Sequence, residues 1–110
     1  MSFFKKLFGI PNNPEGTTQV YEVSKDVIHR YMSEILPQPS YATLKNQHRN
    51  IPDDHLAVLM YSASDTARAM PEAAGNQAME LAMKSCMAYE QGRLMVTESS
   101  WSYHLFARTV

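Results

Sequence analysis

Cysteine is almost missing from this sequence: Cys86 is the only one in 110 residues. A lone thiol forms no internal disulfide and cannot build a multi-thiolate metal site. Small secreted domains usually carry an even set of cysteines, so the count favours a reducing, cytoplasmic compartment. Glycine is scarce as well, with four residues at positions 9, 16, 75 and 92. Their spacing matches neither a phosphate-binding loop nor a dinucleotide fingerprint, and no Gly-x-Ser-x-Gly elbow occurs. No cofactor is therefore expected. Long apolar runs are absent, since none reaches the ~18–20 residues of a spanning helix. The few apolar residues after Lys5 and Lys6 also fall short of the ~7–15 that a secretory signal needs. Charge of one sign is not in excess either. Ten Lys and Arg stand against 11 Asp and Glu, a net charge of −1. That balance argues against a nucleic-acid binder and against an acidic tail.

What is present describes one folded domain. Hydrophobic residues make up 45% of the chain and charged residues 19%, which excludes disorder of the whole. A chain this long can bury a core without staples. Residues 1–10 are aromatic and basic, residues 11–19 have the Pro, Asn and Gly chemistry of a linker, and residues 20–110 read as a single domain. The spacing predicts a helix over residues 25–36. Ser24 supplies the N-cap, Asp26 suits the first turn, and Val27, Ile28, Tyr31, Met32, Ile35 and Leu36 form an apolar stripe that Pro37 and Pro39 stop. A short helical turn fits residues 41–47.

A second helix is expected over residues 71–91. Pro71 and Glu72 start it, and Gly92 stands where left-handed backbone angles are needed. Ala78, Met79, Ala82, Met83, Cys86 and Met87 read as its core-facing stripe, and the methionine ladder 79, 83, 87 as core or, alternatively, an adaptable binding stripe. Residues 55–62 (HLAVLMYS) fit a buried strand or a helix capped by Asp53. Val58, Tyr61 and the polar cluster at 62–65 favour strand. Residues 93–97 and 100–107 read as β-like, with Glu98-Ser99-Ser100 either a turn between two strands or a bulge in one, and with Trp101, Tyr103 and Leu105 alternating against Ser102, His104 and Phe106. The expected class is α+β with a short antiparallel sheet that includes the C-terminal strands. The alternative is a mostly α domain with a C-terminal hairpin. An apolar segment ending in Tyr61 and Ser62, an alanine-rich helix with Ala78, Ala82 and Cys86, and a closing strand resemble small domains of unknown function from secreted bacterial proteins. Those domains carry a disulfide whose second cysteine is lacking here, and the resemblance implies no activity.

Two constellations bear on function. As a helix, residues 1–10 place Phe3, Phe4, Leu7 and Phe8 on one face, with Lys5 and Lys6 off that stripe. Such a segment can lie in a bilayer interface, dock a partner's groove, or fold back on its own domain. Burying a Phe or Leu is worth roughly 1.5–3 kcal/mol, against an ordering cost of about 1–2 kcal/mol per residue, so membrane binding would be weak and reversible. The second constellation is His48, His55 and His104. With Arg49 or Arg108 to stabilise an anion, they would form a hydrolase or nuclease site if loop and strand brought them together. His29 reads as a boundary residue, and Cys86 as a buried thiol rather than a nucleophile.

The first expectation is a non-enzymatic binding protein, of adaptor, inhibitor or immunity type, acting through protein–protein contact. It would be cytoplasmic, peripheral at the membrane if residues 1–10 anchor it. Trp101 and Tyr103 join residues 3–8 as candidate contact residues, with Tyr89 and Phe106 as further aromatic anchors. Asp53, Asp54, Glu72, Glu80 and Glu98 would suit a basic target. A second copy extending a free sheet edge is the homo-oligomeric alternative. The histidine-dependent hydrolase is the catalytic alternative.

Overall fold

The computed structural model describes residues 20–68 and 77–107. Seven elements follow in order: β1 (Val20–Ser24), α1 (Lys25–Ile35), α2 (Pro39–Gln47), α3 (Asp53–Arg68), α4 (Gln77–Glu90), β2 (Leu94–Glu98) and β3 (Ser102–Ala107). The fold is α+β, and the described residues form four helices and a three-stranded antiparallel sheet.

Ser24 ends β1 and begins α1 in a single residue. Its backbone is extended (φ −63°, ψ 142°), and its hydroxyl accepts from the Asp26 amide at 3.1 Å. Pro37 cannot continue the helix, so Leu36 caps it and turns its side chain out to solvent. Ile28 and Ile35 are buried, with Val27, Tyr31 and Met32 packed at the margin. Pro39 fits the first turn of α2, which covers the core with Tyr41 and Leu44.

Residues 55–62 are helical, not a strand, and the expected turn at 62–65 lies inside α3. The reason is the central position of that helix. It packs against α1, α4 and β3, so Leu56, Ala57, Val58, Leu59 and Met60 are all buried. A helix covered on several sides needs no polar stripe, and the run loses its period. The buried Ser62 hydroxyl is satisfied by the Leu59 carbonyl at 3.0 Å.

Helix α4 packs against α3 and ends in a Schellman turn. The Gly92 amide donates to the Tyr89 carbonyl at 3.1 Å, and the Arg93 amide to the Ala88 carbonyl at 2.8 Å, with Gly92 at φ 77°. The expected start of this helix, residues 71–76, lies outside the described residues. Its inward face is built from Leu81, Ala82, Ser85, Cys86 and Ala88. Met83 and Met87 point outward, which corrects their assignment to the core stripe.

The strand order is β1-β3-β2, with β3 in the centre. Tyr21 lies opposite Leu105 and Val23 opposite Tyr103 on one side, while Val96 faces Leu105 and Leu94 faces Ala107 on the other. Val23, Leu94, Val96, Tyr103, Leu105 and Ala107 are buried against the helices, and Glu22, Met95 and Thr97 face solvent. Trp101 departs from the expected alternation. It sits in the β2–β3 turn and is 82% exposed, while its carbonyl accepts from the Lys25 amide at 2.8 Å. Strand β1 was not among the expected elements.

Candidate functional site

Polar side chains gather where α3 begins. Asp53 and Asp54 occupy its first turn, as the helix dipole favours. Asp53 accepts hydrogen bonds from the Tyr41 hydroxyl and from Lys45, whose ammonium lies 3.2 Å away and also reaches the Ile51 carbonyl at 2.6 Å. The Tyr41 hydrogen bond, then Lys45, holds the Asp53 carboxyl below the usual range. Asp54 accepts from the Tyr103 hydroxyl at 3.1 Å. Burial, aided by Asp54, pushes the Tyr103 phenol up to about 12. Burial and the Asp54 charge raise Tyr89 in the same direction.

The last turn of α4 reaches into this cluster with two consecutive residues. Tyr89 shares a hydrogen bond of 2.8 Å with His55 Nδ1, their rings edge to face, and Glu90 Oε1 accepts from His48 Nδ1 at 2.7 Å. His48 closes α2 and is buried. His48 and His55 are thus brought to one helix end, each with its own partner. His104 is not brought there. It neighbours Tyr103 along β3 and therefore projects from the opposite face, where its Nε2 meets Glu22 at 2.8 Å. The three histidines expected as a catalytic set lie on two sides of the sheet.

The chemistry of the cluster is that of a staple. Its tyrosines hold their protons more tightly than free phenols, so they donate hydrogen bonds rather than act as acids near neutrality. Cys86 is fully buried, and burial pushes its thiol up to about 12, which leaves no thiolate. Among the described residues, no three His, Cys, Asp or Glu side chains gather as metal ligands.

The expected contact residues fare unevenly. Phe3, Phe4, Lys5, Lys6, Leu7 and Phe8 lie outside the described residues. Trp101 is a surface side chain. Tyr103 is 2% exposed and faces Asp54, so it cannot serve as a surface anchor, which corrects that assignment. Of the acids expected to meet a basic target, Asp53, Asp54 and Glu98 are engaged within the fold, Glu98 by Lys25 at 3.0 Å.

Besides Trp101, Leu36 and Met95, the exposed large apolar side chains among the described residues are a pair on the outer side of α4. Met83 is 40% and Met87 54% exposed, one turn apart, with Lys84 between them. A cleft of about 310 Å³ beside Met87 is lined by Lys84, Ala88, Gln91 and Arg93. A second cavity of about 210 Å³ opens among the helices, lined by Tyr31, Ile35, Met60, Ser64, Met79 and Ala82, among others. Lys84 and Arg93 were not singled out as contact residues from sequence. The available signal was angular: at about 100° per residue, Met83 and Met87 fall opposite Leu81 and Ser85. Among the described residues, no helix is long and apolar enough to cross a membrane. No family model, curated protein or solved structure matches the chain.

Proposed function

We propose that the protein acts by binding another protein, and that the outward face of α4 is the contact surface. The observation that carries this reading is the pair Met83 and Met87, large apolar side chains left in water on a helix whose other side is already packed. Flexible thioethers adapt to irregular partner surfaces, and an exposed apolar stripe on a helix is a common mode of docking. The protein would work as an adaptor, inhibitor or immunity-type protein in the cytoplasm. Residues 1–10 would bring it to a membrane surface, a reading supported by the helical spacing of Phe3, Phe4, Leu7 and Phe8 beside Lys5 and Lys6.

The test uses the full chain and a Met83→Glu/Met87→Glu variant, both checked for folding by circular dichroism. Each is used to capture proteins from a cell extract, and any protein retained by the parent alone is purified and titrated calorimetrically. A purified partner whose affinity falls about tenfold or more in the variant is the expected result. Equal affinities for parent and variant would remove α4 as the contact surface. Replacing His48, His55 and His104 by Gln should leave that affinity within about threefold; its loss in a folded variant would move the contact to the histidines.

A further inference from the structure

We infer that the cleft beside Met87 receives an acidic amphipathic segment of the partner, with apolar side chains on Met83 and Met87 and carboxylates on Lys84 and Arg93. This rests on the reading of α4 as the contact face and adds the chemistry of what binds there.

Charge pairing within the fold supports it. Lys25 is paired with Glu98, Lys45 with Asp53 and Arg68 with Asp65, while Arg49 donates to the Asn46 amide oxygen. Among the described residues, Lys84 and Arg93 have no such partner, and both line one cleft. Arg30, also without an ion pair, stands beside Glu34 in a different depression. Among the described residues, no carboxylate lines the Met87 cleft. Glu90, nearby on α4, is taken by His48, and Glu80, one turn before Lys84, makes no ion pair with it. The cleft therefore presents two cations without an ion pair among the described residues, beside the apolar Met87 and Ala88.

An occupant must satisfy both parts. A neutral apolar segment would cover Met87 but desolvate the cations without return, and a basic one would add like-charge repulsion. An acidic amphipathic segment covers the methionines and pairs the cations, and carboxylates form charge-assisted hydrogen bonds with both. An anionic lipid surface shares the negative charge. It is disfavoured because lipid-binding patches gather about 4–8 Lys and Arg, whereas two line this concave cleft.

The probe is a displayed library of 16-residue amphipathic helices, with flanking positions drawn from Glu, Gln and Lys. It is selected on the full chain, on the Met83→Glu/Met87→Glu variant and on a Lys84→Glu/Arg93→Glu variant. Both variants change exposed positions, and circular dichroism establishes that they fold. Expected is an enrichment of Glu-flanked helices about tenfold over their Gln counterparts on the parent, lost on Lys84→Glu/Arg93→Glu. Enrichment of Gln- or Lys-flanked helices that depends on the methionines overturns the acidic preference and leaves the contact face standing. No enrichment over Met83→Glu/Met87→Glu overturns both. Flotation with phosphatidylserine vesicles that Lys84→Glu/Arg93→Glu abolishes would assign the two cations to lipid and overturn the inference.

Discussion

In strong alkali, the hydrogen bond between Tyr103 and Asp54 turns against the fold. The folded phenol titrates near 12, and the unfolded one near the ordinary 10.0. A raised folded pKa contributes stability that is whole below pH 10 and drains as pH climbs toward 12, because the unfolded chain loses its proton first. Urea unfolding between pH 9 and 12 should therefore show stability falling with pH, and falling less steeply in Tyr103→Phe. Parallel slopes for the two proteins would contradict the assignment. Cys86 offers a second check. Burial keeps it protonated, so a thiol reagent at pH 8 should label it only as fast as the protein unfolds. Rapid labelling of the native protein would mean an accessible thiol. Gly92 gives a third. A methyl group there would meet no atom within 4 Å, so Gly92→Ala carries only the cost of a left-handed backbone, about 1 kcal/mol in denaturant titration.

Helices α3 and α4 show what each kind of burial does to a sequence signal. Helix α1 is exposed along half its surface, so its 3.6-residue period, Ser24 cap and Pro37 stop were legible together. Helix α3 is wrapped by neighbours and displays an unbroken apolar run from Leu56 to Met60, which a strand could equally produce. In α4 the buried face is small residues apart from Leu81, while Met83 and Met87 are exposed, the reverse of what side-chain size suggests. Five-residue β1 hides for another reason: its ladder partner lies 82 positions away, and no local pattern reports that. His104 is the opposite case: strand alternation was legible and turns it away from Tyr103, but that His48 and His55 meet at the start of α3 rests on contacts with α4 that no local pattern reports. Truncation should separate the two helices clearly. Leu59→Ala, at the buried centre of α3, should cost about 2–5 kcal/mol, and Met87→Ala less than about 1 kcal/mol. Similar losses in urea unfolding would place Met87 in the core after all.

For the molecule as a whole, the proposed function assigns membrane association to residues 1–10 and protein association to α4. The two are separable by deletion. A chain lacking residues 1–10 should lose flotation with anionic liposomes while keeping the affinity of α4 for its partner. Flotation that survives the deletion would place the lipid contact in the described domain.

The arrangement β1-β3-β2 also sets a timetable for synthesis. Strand β3 holds the sheet together, yet every other described element is made before it. Its ladder with β2 closes across a three-residue turn, whereas the ladder with β1 joins residues 82 positions apart. Until β3 leaves the ribosome, β1 has no strand to pair with, and the helices cannot lay their apolar sides on a finished sheet. Such long-range closure is slow compared with helix formation. A nascent chain paused before residue 102 would therefore hold a helical intermediate with its oily side uncovered, a ready client for chaperones.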